Sequence, residues 1–354
     1  MNFALNETQA AVRDLAAEIF GRRVDATSVE KAEGTDDRFD RDLWTALAEA
    51  GLLGVGVAEA HGGLGLGAVV TALVLEQTGR DVAPVPLVPT LVAAALITAV
   101  GSDEQRRAWL GRVSAGAAVF AVAAPQSTVG VRNDGGHLSG DVIGVPWAHV
   151  ADRLLLPVED RVFLLDPAAA SVVATRAETT AREIAVNFAL DGVAAEQVGA
   201  DNAARSLRLL MCAALAAVQA GVTDAAVRMT AAYTSGREQF GKPLSTFQGV
   251  ALKAADAYLA ATAIRATALQ AAWSLDQSRD DALADPTLAV LTAAWWAAEG
   301  GQQCVHLTQH LHGGMGADVT YPVHRYCLWG KQIELTLGGA SALLAVLGDA
   351  LADR

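Results

Sequence analysis

The stretch Arg237-Glu-Gln-Phe-Gly-Lys-Pro-Leu-Ser-Thr-Phe-Gln248 sets a guanidinium, two glutamine amides and two aromatic rings around a glycine turn. A guanidinium stays charged at any physiological pH and presents a planar fork of donors, which suits a pyrophosphate. Further on, Gln309-His-Leu-His-Gly-Gly-Met-Gly316 ends a helical pattern with glycines that let a ligand approach the main chain closely. Taken one at a time, the two stretches read equally well as an interhelical turn and a C-cap.

Two other patterns invite chemistry and carry less of it. His306 and His310 stand four apart on a helical pattern with His312 nearby, and such a pair can begin a zinc site. A zinc site wants three or four ligands at suitable spacing, and no third is placed, so no metal is expected. His61-Gly62-Gly63-Leu64-Gly65-Leu66-Gly67 looks like a phosphate-cradling loop. A dinucleotide fingerprint needs a strand before it and a βαβ unit around it, and neither is evident, so an interhelical turn is the better reading.

The elements that must position these residues follow from periodicity. From Asn6 to about Leu110 apolar residues recur at three and four positions, as in Val12, Leu15 and Ile19, with Gly- and Pro-containing joints at 60–67 and 82–89. Between Val119 and Gly199 the texture changes to short runs rich in Val, Leu and Ile, such as 119–123, 153–157 and 162–165. Long helical patterns return from Asn202 to Leu351, with a polar break at 276–285 and a glycine break at 313–316. The expected class is α+β: a helical domain over 1–115, a small β domain over 116–199 and a helical domain over 200–354.

Composition narrows the function classes. Of 354 residues 52% are hydrophobic but only 5% aromatic, so the core is aliphatic and favours helices. The formal charge of −13 repels phosphate backbones, which excludes a nucleic-acid role. The longest apolar stretch, 87–100, is short, carries Pro89 and reads as a buried helix, so no membrane association is expected. The first twenty residues hold Glu7, Asp14 and Glu18 where a secretory signal would be basic and then apolar, and a cytoplasmic location is expected. Cys212, Cys304 and Cys327 are too widely spaced for a CxxC pair and read as reduced thiols.

Taken together, the two glycine-centred stretches and the following Tyr321-Pro-Val-His-Arg325 resemble the C-terminal domain of acyl-CoA dehydrogenases, whose pattern is R-x-x-F-G-x-P, then F-Q, then G-G-x-G and Y-P. The resemblance extends to the phrase from Leu43 to Gly65 and to the middle phrase ending Ala151-Asp152, and so covers nearly the whole chain. It implies an acyl-CoA dehydrogenase-like fold with a helical N-terminal domain, a middle β domain and a C-terminal four-helix-bundle domain, assembled as a pair of dimers with each FAD lying across a dimer interface. By the same resemblance, Arg237, Gln239, Phe240, Gln248, His310, Gly313 and Gly314 belong to the set a subunit lends to its neighbour's flavin. His310 stands where the family commonly has glutamine, with Gln309 adjacent as an alternative donor.

The same comparison marks losses. The family's catalytic glutamate, which takes the α-proton of an acyl-CoA, falls at Leu337 by gap-free counting from Tyr321. The alternative position, on the helix before the Arg motif, falls at Met211. Neither side chain accepts a proton, and Glu334, one turn before Leu337, is the remaining weak candidate. The flavin-ring phrase Y-x-V-T-E-P reads here Phe120-Ala-Val-Ala-Ala-Pro125, and G-x-K-x-W-I-T-N aligns with Gly140-Asp-Val-Ile-Gly-Val-Pro-Trp147.

What a subunit uses for its own flavin ring is degraded, and what it lends is kept. The resemblance therefore points to the non-catalytic subunit of a heterotetrameric (α2β2) enzyme of the kind that acts on steroid side chains as CoA thioesters. The implied partners are a second acyl-CoA dehydrogenase chain, an acyl-CoA substrate that steroid-CoA would fit, and an electron-transfer acceptor. Two other readings compete: a homotetrameric enzyme using Glu334 as a displaced base, and a family-derived binding or scaffold protein without redox chemistry.

Overall fold

A computed structural model describes residues 4–169, 172–280 and 285–352. Six helices come first, α1 Glu7–Arg23, α2 Ala26–Glu33, α3 Arg41–Glu49, α4 Gly67–Arg80, α5 Leu87–Val100 and α6 Asp103–Ser114. Seven strands follow, β1 Phe120–Val122, β2 Thr128–Asp134, β3 His137–Pro146, β4 Arg153–Val158, β5 Arg161–Leu165, β6 Val172–Glu178 and β7 Ile184–Val198. Then come α7 Ala203–Gly236, a small hairpin of β8 Glu238–Gln239 and β9 Lys242–Pro243, α8 Gln248–Asp280, α9 Thr287–Leu311, α10 Val323–Thr336 and α11 Ala340–Ala352. The helical, β, helical order expected from the sequence is present; α8 runs through 276–280 of the expected polar break, and 281–284 lie outside the described residues.

The elements gather into two compact units. One, built from residues 8–71 and 84–211, contains the whole seven-stranded sheet. Its strands run in the order β1-β4-β5-β7-β3-β2, with β6 also on β7, and only the β1–β4 pair is parallel. The fifteen-residue β7 is its spine, pairing with β3, β5 and β6. Inward residues of several strands, among them Leu138, Val142, Leu154, Phe163, Phe188 and Val193, form one apolar core. α2, α3 and α6 begin on side-chain caps that satisfy orphan N–H groups: Asp25 with Ser28, Asp40 on Leu43, and Ser102 with Gln105. α5 is the buried apolar helix expected over 87–100.

The other unit joins residues 72–83 to the chain from Cys212 onward. Its backbones touch where α4 crosses α7. A Cβ on Gly79 would lie 2.0 Å from the Val218 carbonyl oxygen, and one on Gly221 would lie 1.9 Å from that of Glu76. Only hydrogen fits at such a crossing, which explains two glycines inside long helices despite their cost of roughly 1 kcal/mol each. Charge ties the same elements: Arg265 Nε donates to Glu76 at 2.8 Å, Arg80 pairs with Asp224, and Asp224 also holds Arg228. α7 is long and apolar enough to cross a membrane by length and composition, but 72% of that window is buried inside the fold, as expected of a core helix.

Candidate functional site

One end of the second unit gathers the residues of both glycine-centred stretches. α7 ends at Gly236, and Arg237 begins a two-residue hairpin in which Gln239 pairs with Lys242. Phe240 and Gly241 form the turn, with φ of +54° and +80°. Positive φ at both central positions is the type I′ arrangement, whose twist matches a hairpin. Glycine adopts it freely, but phenylalanine does so at a cost of roughly 1–2 kcal/mol. Phe240 is also 91% exposed and touches Phe247 edge-on at 6.2 Å. A strained and solvent-facing aromatic is poor design for a free surface and good design for contact with something else.

The charges around this hairpin are largely unneutralised. Arg237 is exposed and forms no ion pair among the described residues. Lys242 lies 4.3 Å over the Phe247 ring. Gln248 opens α8 exposed, and Gln239 is exposed with its amide donating to the neighbouring Glu238 carbonyl at 2.8 Å. In a chain of net charge −13, a guanidinium left without a carboxylate is available to an external anion.

α9 brings the second stretch to the same assembly. The His312 ring stacks on Tyr233 of α7 at 4.5 Å, and its Nδ1 lies 2.8 Å from the Thr308 carbonyl oxygen. Burial lowers the His312 pKa, so the imidazole is held neutral. Gly313, at φ +59°, and Gly314 are exposed, with open space where a side chain would stand. Gly316 is packed, since a Cβ there would meet the Gln309 carbonyl oxygen at 2.3 Å.

Gln309 and His310 differ in this geometry. The Gln309 amide donates to Gly316 O at 2.9 Å and accepts from the Cys327 thiol at 2.9 Å, so it bolts the glycine loop and faces inward. His310, on the next position, is exposed. His310 Nε2 lies 2.8 Å from Lys253 Nζ on α8. Sequence reading missed Lys253, because its only signal is a basic residue five positions after Gln248. Among the described residues no group of three His, Cys, Asp or Glu side chains is placed to hold a metal.

The positions counted for a base are apolar in fact. Leu337 ends α10 and is followed by Gly338 and Gly339 at φ of +92° and +85°; Met211 lies within α7. Glu334 has only 18% of its side chain exposed and accepts an ion-paired hydrogen bond from Lys331 at 2.8 Å. Its carboxylate is already engaged. Cys212 and Cys304 are buried, Cys327 is half-buried, and burial pushes the Cys304 thiol up to about 12, which makes it inert at neutral pH.

In the sheet-bearing unit, the phrase 120–125 offers no side-chain donor: Phe120, Ala121 and Val122 are buried in β1, and the Ala123 N–H is spent on Leu155 O at 2.9 Å. Along 140–147, the Gly144 N–H is taken by the Asn187 side chain at 2.8 Å, and Pro146 has no N–H. Trp147 is buried against Phe39 and His149, and its indole N–H donates to Glu183 at 2.8 Å. Burial raises the Glu183 pKa, an effect the indole bond opposes. The exposed cluster at 237–248 and 310–314 thus fits the pyrophosphate of a dinucleotide, whereas the phrases at 120–125 and 140–147 offer a flavin ring no free side-chain donor.

Comparison with known proteins identifies the family and the fold. Residues 6–117 match the model of the acyl-CoA dehydrogenase N-terminal domain, and residues 205–351 match that of the acyl-CoA dehydrogenase C-terminal domain. The acyl-CoA dehydrogenases FadE27 and FadE28 of Mycobacterium tuberculosis are each 35% identical; the alignments cover 90% and 87% of this chain and 90% and 92% of theirs. Among solved structures, a variant of the Tcur3481-Tcur3483 steroid ACAD is 43% identical with a TM-score of 0.91, over 98% of both chains. The ChsE4-ChsE5 complex from Mycobacterium tuberculosis is 32% identical with a TM-score of 0.92, over 100% of both chains.

Proposed function

The chain belongs to the acyl-CoA dehydrogenase family, and from that premise we propose that it is the flavin-completing, non-catalytic subunit of a heteromeric member. The family's cofactor is FAD, which when bound supplies the hydride acceptor for α,β-dehydrogenation of an acyl-CoA to a 2-enoyl-CoA. In this reading the partner chain supplies the base and the flavin-ring contacts. This chain supplies Arg237, Gln239, Phe240, Gln248, His310, Gly313 and Gly314 to the nucleotide end of the partner's FAD. The guanidinium fork would hold the diphosphate, and the open backbone at Gly313 and Gly314 would let the ligand approach.

The observation that carries the proposal is the exposed hairpin: Arg237 without an ion-pair partner among the described residues, beside a strained Phe240 that is 91% exposed. Any member that lends this cluster across an interface would hold it outward, so it is the pairing of this hairpin with ring phrases that carry no side-chain donor that favours a different chain as the recipient. A displaced base at Glu334 is disfavoured by its bond to Lys331. A scaffold without flavin is disfavoured by the unneutralised Arg237.

A partner of the same family also suits the remaining surface. Leu252, Ala255, Leu259, Thr262, Ala266 and Trp273 are exposed along one face of α8 at alternating three- and four-residue steps, with a longer last step. That is the spacing of a helix seam awaiting a second helix. The likeness to a steroid ACAD and to a two-chain complex supports a steroid-CoA substrate and an α2β2 assembly, with a separate electron-transfer acceptor.

The test is the visible spectrum of the chain purified alone and after co-expression with a candidate catalytic acyl-CoA dehydrogenase chain. The isolated chain is expected to be colourless, with flavin absorbance and turnover only in the mixed complex. A yellow, active homo-oligomer of this chain overturns the proposal.

A further inference from the structure

Lys253 Nζ and His310 Nε2 lie 2.8 Å apart, joining the second turn of α8 to the last turn of α9. An ammonium has donors and no acceptor, so a hydrogen bond at this distance requires the imidazole to be neutral with its lone pair on Nε2. The ring proton then sits on Nδ1, which becomes the one donor the imidazole has left to offer. Neither residue has a carboxylate partner among the described residues, and the adjacent Gln309 amide is spent on Gly316 and Cys327. A neutral imidazole in water favours no such arrangement strongly. Here the tautomer is dictated by the neighbour, as it is when a hydrogen bond to one ring nitrogen fixes the role of the other.

We propose that Lys253 is a positioning residue for the lent half-site. It holds His310 as the Nδ1–H tautomer, so that the imidazole presents an N–H to the diphosphate bridge of a dinucleotide in place of a side-chain amide. This rests on the reading of the 237–248 and 310–314 cluster as that half-site. Lys253 acts through His310, by donating to its Nε2.

The test uses the full chain with ring-15N-labelled histidine and ADP as the diphosphate probe, the His310 signals being assigned by their loss in His310→Gln. The wild-type chain is expected to show His310 in a single tautomer protonated on Nδ1, with signals that move saturably as ADP is added. In Lys253→Met, which keeps the aliphatic stem, the ring is expected to shift towards the Nε2–H form, and ADP to bind about tenfold more weakly, a loss of about 1.4 kcal/mol. His310→Gln brings an amide that needs no tautomer, so it should stay within about threefold of wild type. The double variant His310→Gln/Lys253→Met should bind no more weakly than His310→Gln alone.

An unchanged tautomer in Lys253→Met overturns the inference, as does a double variant weaker than His310→Gln by the full Lys253→Met factor, which would make Lys253 a direct ligand. If ADP binding depends on Arg237 but is indifferent to Lys253, this inference falls and the half-site stands. If ADP moves no His310 signal and Arg237→Ala changes nothing, the half-site itself falls and this inference with it.

Discussion

Arg237 has a fork of five donors and forms no ion pair among the described residues, so its contribution is realised only when an anion arrives. A charge-assisted bond of this kind is worth roughly 1.5–3 kcal/mol, and in a mixed complex Arg237→Ala should weaken FAD retention by about 10- to 100-fold. Arg237→Lys should recover part of that, because a point charge replaces a bidentate fork. Dilution of the complex with flavin fluorescence as the readout measures both. Asp81 tests burial rather than binding. Burial pushes its carboxyl up to about 6, against the opposing charge of Arg80. The folded state therefore holds this proton more tightly than the unfolded chain does. The stabilisation is fully present below the ordinary carboxylate value near 3.8 and is lost as pH rises through about 6. Asp81→Asn cannot ionise, so its gain in melting temperature over wild type should be larger at pH 8 than at pH 4.5. Equal gains at both pH values would mean that Asp81 is solvated in the folded protein.

The elements show which features a one-dimensional pattern can carry. α5 and the strands at 120–122, 153–158 and 161–165 coincide with apolar runs that end at Gly, Pro or Asp, so their position was legible from texture alone. The crossing of α4 and α7 was not, because Gly79 and Gly221 lie far apart in sequence and meet only through the fold. The Lys253–His310 contact escaped for the same reason, and the role of Gln309 was legible only once Gly316 and Cys327 were seen around its amide. α8 holds a third case. One face is packed on Ala257, Ala260, Ala261 and Ile264, while Leu252 and Leu259 remain exposed on another. A charge placed on that second face costs the isolated fold little, since surface substitutions away from special features stay within about 0.5 kcal/mol. Leu259→Asp should leave the melting temperature of the isolated chain nearly unchanged and abolish the mixed complex, as read by light scattering. A folded variant that still assembles would remove α8 from the interface.

For the whole molecule, the balance lies between two kinds of residue. The expected base positions, Leu337 and Met211, hold side chains that accept no proton, and the ring phrase 120–125 holds none that donates. The Arg237 hairpin and the open glycines at 313 and 314 keep groups that would serve a neighbour, with an outward His310 where the family commonly has glutamine. A random decline would have eroded both sets, and the strained Phe240 first of all, since glycine at that position relieves the left-handed cost. Retention of one set against loss of the other makes stoichiometry, rather than affinity, the quantity that separates the readings. On the proposed half-site reading each pair of chains has a single complete site, so FAD titrated into flavin-free mixed complex should reach its endpoint at one FAD per two chains. Arg237→Ala should move the midpoint of that titration and leave the endpoint where it is. An endpoint of one FAD per chain would mean that this chain also holds a flavin of its own, with ring contacts drawn from backbone groups rather than from the side chains of 120–125 or 140–147.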